Sequence, residues 1–219
     1  MRLAVLTTHP IQYFRPVFAE LAQQPGLELR VFFGCDHGRR RSLDPDFGVS
    51  FAWDVPADEG FPHVFISHAP LEQLSRLRSA LPLAWRAVRA ISAWQPDQVL
   101  IFAYTPAFIS VSTLLLTMRR QSLLLRADGT DRAFPRSRLK SSFKDLVLRL
   151  WYRQFRHVFP IGVNSDHHFA RLGVATSRRH PVPYAVDVDF FAQQQRNWSQ
   201  QRLGLRRELG IGPNDLVLL

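Results

Sequence analysis

Cysteine is almost missing from the sequence: Cys35 stands alone among 219 residues. One thiol excludes a disulfide framework and an all-cysteine metal site, and it fits a reducing compartment. Acidic residues are also scarce, 18 against 28 Lys and Arg, which leaves a formal charge of +10. Such a surface attracts anions: phosphates, acidic lipid or nucleic acid. The N-terminal apolar stretch is too short for a signal-peptide core and runs at once into Thr8-His9-Pro10. A membrane span needs about 20 mostly apolar residues. Residues 99–118 are uncharged, but Pro106 and five Ser and Thr hydroxyls divide them into a strand and a helix. The expectation is a cytoplasmic protein that does not cross a membrane. There is no phosphate-loop motif, internal repeat or low-complexity tract.

What is present is a packed chain, 46% hydrophobic and 12% aromatic. That suffices for one domain and the edge of a second at about 150 residues per domain. Residues 3–7 and 27–33 are short apolar runs of the kind buried on both faces of a parallel sheet. Between them a helix starts near Pro16 and stops at Pro25-Gly26, so the chain opens β-α-β. Residues 34–50 read as a polar loop, with short strands at 51–55 and 63–66. Helices are predicted over 71–80 and 83–94, broken at Pro82. Strand 98–102, helix 106–119, strand 123–126, loop 127–136, helix 142–156 and strand 157–161 repeat the pattern. A short helix should follow the cap-competent Asn164-Ser165-Asp166, and 179–183 reads as a last short strand. The fold class is therefore α/β, a doubly wound, mostly parallel Rossmann-like sheet with helices on both faces, over residues 1–190. Residues 192–201 look like a Gln-rich linker, 202–209 a short helix and 216–219 the start of a strand. We expect 191–219 to lead into a second domain, the chain being an N-terminal fragment or a truncated product.

In open α/β sheets ligands sit at the carboxyl ends of the strands, so the residues directly after strands are the site candidates. After the first strand, His9, Gln12 and Tyr13 bring an imidazole, an amide and a phenol into one short loop. His9 can donate to a hydroxyl or phosphate oxygen, or simply cap its own turn beside Pro10. After the strand ending at Arg126, Asp128 and Asp131 flank Gly129. Either carboxylate can orient or deprotonate a sugar hydroxyl, and Asp131 can instead cap a turn. Tyr104, Asn164 and Ser165 follow two other strands. Cys35-Asp36-His37 has no second cluster at ligand spacing, so no metal site is expected. The stretch 132–157 is densely basic. Within it Phe143, Leu146, Val147, Leu150 and Trp151 keep helical spacing, while Arg149, Arg153 and Arg156 share another face. With Lys144, those arginines suit an anionic membrane surface; a packed helix with a solvated basic face is the alternative. Nucleic acid is less favoured, because its recognition motifs are absent.

Four segments resemble the N-terminal domain of GT-B-fold glycosyltransferases of the large family-4 (group 1) retaining kind. They are Leu3-Ala-Val-Leu-Thr-Thr-His-Pro-Ile-Gln-Tyr-Phe, Cys35-Asp-His-Gly, the run from Ile161-Gly-Val-Asn-Ser-Asp to Leu172-Gly-Val, and Pro181-Val-Pro-Tyr-Ala-Val-Asp-Val-Asp-Phe-Phe. The last is similar to an Ile-Pro-Asn-Gly-Val-Asp…Phe element of that family. The resemblance implies transfer of a sugar from a nucleotide-sugar donor, with retention and no essential metal. It also implies that this domain holds a sugar, glycan or glycolipid acceptor while a following domain holds the donor. By that resemblance His9 and Asp128 are the catalytic candidates, and Gln12, Tyr13, Tyr104, Gly129, Asp131, Asn164 and Ser165 bind substrate. Asp128 or a neighbour stands where many members carry a His. The fragment itself should hold no cofactor and be inactive alone. The expected setting is polysaccharide or glycolipid assembly, peripheral at the inner face of the plasma membrane. The reading from a different class is a non-catalytic basic module for membrane surfaces or anions.

Overall fold

The structure, a computed structural model, describes residues 1–39, 42–44, 48–51, 57–131, 138–199 and 201–217, with side chains outside 42–44, 49–51 and 138–141. Two compact units divide it, Met1–Ala185 and Val186–Leu219. The first contains β1 (Arg2–Thr7), α1 (Arg15–Gln23), β2 (Glu28–Phe33), β3 (Ser42–Asp44), β4 (Val49–Phe51), β5 (His63–Phe65), α2 (Leu77–Trp94), β6 (Gln98–Phe102), α3 (Ala107–Met118), β7 (Leu123–Ala127), α4 (Arg138–Tyr152), β8 (Phe155–Pro160) and α5 (Val163–Arg171). Short 3-10 turns cover Gln12–Phe14, Leu71–Leu74 and Thr176–Arg178. Six strands form one parallel sheet in the order β5-β2-β1-β6-β7-β8. β3 and β4 make a separate antiparallel pair, β3 inside the expected 34–50 loop and β4 at its end, running on to Phe51.

This is a doubly wound, Rossmann-like α/β sheet. The inner segments of its strands are mostly apolar because both faces are covered. Alternation sends Ala4, Leu6, Val99, Ile101, Leu123 and Leu125 to one face, against α2, α3, Tyr152 and Phe169. Leu3, Val5, Leu100, Phe102 and Leu124 go to the other, against Phe14, Phe18 and Phe61. Strand order reverses between β1 and β6, and the loops leaving these two strands flank the point where such folds open a crevice.

Several local expectations are corrected. Pro82 does not break α2: it lies exposed in the second turn, where it removes one main-chain donor. The buried face of Ala80, Leu83, Ala84, Ala87, Val88 and Ile91 holds the helix together across it. The helix expected over 142–156 is α4, which ends at Tyr152, so Arg156 belongs to β8. Asn164, Ser165 and Asp166 lie inside α5, whose N-cap is Gly162, and do not precede it. Residues 179–183 form one isolated bridge, Arg179 to Val158. They run along β8 through His180 N–H to Val158 O (2.9 Å) and Val182 N–H to Pro160 O (2.8 Å). The strand expected over 51–55 is β4 up to Phe51, and 52–56 lie outside the described residues.

In the second unit the expected linker is a helix, α6 (Val188–Ser199), followed by α7 (Arg202–Glu208). The Asp187 carboxylate accepts the Phe190 N–H at 2.9 Å, an N-cap that starts a helix despite the polar composition. After α7 the Arg206 guanidinium donates to the Gly212 and Asp215 carbonyls, closing the turn that follows. Leu216 and Val217 are not in a strand, and 218–219 lie outside the described residues.

Candidate functional site

The carboxyl edge of the sheet carries three adjoining clusters. The first joins the loops after β1 and β2. Gly34 N–H bonds Thr7 O at 3.0 Å and Cys35 N–H bonds Thr8 O at 2.9 Å, so the strand pairing continues into the loops. A Cβ on Gly34 would lie 2.8 Å from Phe108 Cε1 and 3.0 Å from Thr8 O, which is why only glycine fits. His9 Nδ1 is 2.9 Å from Thr8 Oγ1, and its ring meets that of His37 edge-on at 5.4 Å. Burial first, and then the neighbouring His37, depress the His9 pKa to about 4. At pH 7 the imidazole is neutral, able to donate or accept a hydrogen bond but carrying no charge. Beside this cluster His68 Nδ1 lies 2.8 Å from Asp36 Oδ2.

The second cluster surrounds the end of β7. Tyr13, carried by the 3-10 turn after β1, meets the Tyr184 ring at 5.7 Å and 90°. The Arg126 guanidinium lies beneath, 5.2 Å from the Tyr184 ring and 5.3 Å from that of Phe14. Burial, followed by the Asp128 carboxylate and the Tyr13 phenol, raises the Tyr184 pKa.

The third cluster fixes the loop after β7. Asp131 accepts hydrogen bonds from Arg171 (2.7 and 2.8 Å) and lies 2.7 Å from His168 Nδ1. The Arg171 hydrogen bonds, aided by His168, hold the Asp131 pKa down at about 2. His168 Nε2 faces the buried Tyr152 hydroxyl at 3.2 Å, and Arg171 also pairs with Asp145. Gly129 packs beside the same imidazole, where a Cβ would approach His168 Cδ2 to 3.4 Å.

The residues singled out on sequence thus separate. His9 belongs to the first cluster, Tyr13 and Asp128 to the second, Gly129 and Asp131 to the third. Ser165 does not line the crevice: it is 4% exposed, and its hydroxyl donates to Ala127 O at 2.9 Å. Tyr104 packs partly buried against the core, its carbonyl accepting the Ser110 hydroxyl. Gln12 and Asn164 are exposed. Sequence reading weighed His37 and His168 only as metal ligands and missed Arg126, Tyr184 and Arg171. A signal for Arg126 exists: it interrupts an otherwise apolar strand, Leu-Leu-Leu-Arg-Ala. Among the described residues no group of three His, Cys, Asp or Glu side chains is placed to hold a metal ion.

Helix α4 departs from the packed face expected of it. Leu148 and Tyr152 are buried, yet Phe143, Leu146, Val147 and Leu150 are all exposed, Phe143 by 72%. At about 100° per residue these four make one stripe on the side opposite Leu148 and Tyr152. Arg149 and Arg153, both exposed, flank it and line a cleft of about 310 Å³ with Arg171 and Arg178. Lys144 is half-buried, and Arg156 is exposed on β8. Among the described residues no helix is long and apolar enough to cross a membrane.

No protein-family model matches the chain, and no curated protein matches it. Solved structures do share its fold. The UDP-GlcNAc 2-epimerase of Neisseria meningitidis, determined with UDP-GlcNAc bound, is 12% identical with a TM-score of 0.59, over 96% of this chain and 54% of that one. The Anabaena protein HepE, in complex with UDP and glucose, is 14% identical with a TM-score of 0.54, over 96% and 50%. Another UDP-N-acetylglucosamine 2-epimerase is 11% identical with a TM-score of 0.55, over 83% and 47%. The chain spans about half the length of each of these three structures.

Proposed function

We propose that the chain is the acceptor-side, N-terminal half of a retaining, nucleotide-sugar-dependent glycosyltransferase of polysaccharide or glycolipid assembly. The observation that carries this reading is the polar rim at the carboxyl edge of the sheet, where neutral His9 and Tyr13 follow β1 on one loop and Asp128 follows β7 on another. In this reading a donor-binding domain after residue 190 supplies the activated sugar. His9 bonds a sugar hydroxyl or leaving-group oxygen, and Asp128 accepts the proton of the attacking hydroxyl. The shared fold with proteins solved with UDP-GlcNAc, or with UDP and glucose, supports the substrate class. In the protein carrying both domains, His9→Ala should lower the transfer rate about 100-fold or more. Wild-type turnover, or conversion of UDP-GlcNAc to its C2 epimer without transfer, overturns the reading.

The stripe on α4 favours a second, compatible role as a contact with an anionic bilayer. Exposed Phe143, Leu146, Val147 and Leu150 offer an apolar face, and Arg149 and Arg153 beside it match acidic headgroups. Sedimentation with phosphatidylglycerol vesicles should capture the chain at low salt and release it at high salt. Leu146→Asp with Leu150→Asp should weaken capture at least tenfold; equal binding to neutral phosphatidylcholine vesicles would discard this role.

A further inference from the structure

Arg126 stands at a place where the fold calls for an apolar side chain. Alternation along β7 puts it in the row of Leu124, next to Phe102 of β6, on the face covered by Phe14. It is 8% exposed. Arginine is rarely buried to this extent without a paired anion, and among the described residues Arg126 has no ion pair. Three rings collar the guanidinium: Tyr184 at 5.2 Å, Phe14 at 5.3 Å and Phe102 at 5.4 Å. Rings offset a buried cation in part but accept no conventional hydrogen bond from it. Nη2 reaches the Pro183 carbonyl at 3.4 Å, the long limit of such a bond, and Nη1 is buried with no partner at all. A buried donor left unsatisfied is costly and calls for a partner, an ordered water or a ligand oxygen.

The surroundings say what kind of ligand. Tyr184, 50% exposed, lies over the guanidinium and meets the 44% exposed Tyr13 edge to face, giving an apolar corner with polar tips. Asp128, exposed and close enough to act on both Arg126 and Tyr184, adds an acceptor for a hydroxyl. A planar fork under aromatic walls suits a sugar bearing an oxyanion.

We propose that Arg126 anchors an acidic sugar: the half-exposed Tyr184 ring turns aside, carboxylate or phosphate oxygens take Nη1 and replace the Pro183 carbonyl on Nη2, and the sugar ring packs against the Tyr184 face. This inference deepens the acceptor-side reading, which it takes as its premise, by naming the acceptor as anionic.

Calorimetric titration of the chain with glucuronate, glucose 6-phosphate, inorganic phosphate and glucose tests it. At least one acidic sugar should bind tenfold or more tighter than glucose, and the better of the two identifies the oxyanion. Arg126→Lys, which keeps the charge but loses the fork, should weaken that acidic sugar at least tenfold. Tyr184→Ala, at a half-exposed position that leaves the sheet intact, should weaken it while sparing inorganic phosphate. Equal binding of acidic and neutral sugars, or an unchanged affinity in folded Arg126→Lys, would overturn the proposal. Acidic-sugar binding through Arg126 in a protein that transfers no sugar would remove the glycosyltransferase reading and leave this site standing.

Discussion

Between pH 6.5 and pH 4 the unit Met1–Ala185 should lose up to about 3 kcal/mol of stability, and His9→Gln should remove most of that loss. His9 ionises near pH 6.5 in the unfolded chain but only at about 4 when folded. Across that interval the unfolded state binds the extra proton, so acid favours unfolding. The stabilisation is complete above 6.5 and gone below 4. Solvent around a partly exposed ring makes the figure an upper bound. The Asp131 carboxylate acts in the same direction in a separate window, between 3.8 and about 2. Urea unfolding at pH 7, 6, 5 and 4.5 should give a shallower pH slope for His9→Gln than for the natural sequence. Parallel slopes would show that the His9 imidazole is not the sensor.

Gly34→Ala should cost about 1–3 kcal/mol and disturb the His9 loop together with the core. The new methyl would sit 2.8 Å from Phe108 Cε1, 3.0 Å from Thr8 O and 3.1 Å from Leu74 Cδ1. The two side chains can shift, whereas the Thr8 carbonyl is main chain and accepts the Cys35 N–H. Displacing it moves the residue whose hydroxyl faces His9. Phe108→Leu should therefore recover part of the loss in a double-mutant cycle, with a coupling of about 0.5–3 kcal/mol. A Gly34→Ala variant within about 0.5 kcal/mol of the natural protein would show that the strand ends yield more easily than their packing suggests.

The sheet was legible because parallel strands buried on both faces leave an unbroken apolar run, and residues 3–7, 27–33 and 98–102 are such runs. What misled was chemistry that local pattern cannot rank. Pro82 reads as a break until the apolar face spanning it is seen. The Gln-rich stretch after Ala192 reads as a linker because its helix is started by Asp187, upstream of the stretch itself. Helix α4 has two faces able to pack, and its neighbours buried Leu148 and Tyr152 and left the more apolar stripe outside. The site was half legible. His9, Tyr13 and Asp128 follow strands and were found by that rule. Arg126 lies inside a strand and Tyr184 in an extended segment, so the rule passed over both. One signal was present: Arg126 breaks an apolar strand.

The outer borders of the six-stranded sheet have a bearing on how the protein behaves in concentrated solution. At one border β5 spans just His63–Phe65, too short a rail for a foreign chain to zip onto. At the other, His180 and Val182 already spend their amide protons on β8. Among the described residues neither margin of this sheet offers a long, flat template, which disfavours self-association by pairing at its edges even where the flanking rows are rich in leucine and phenylalanine.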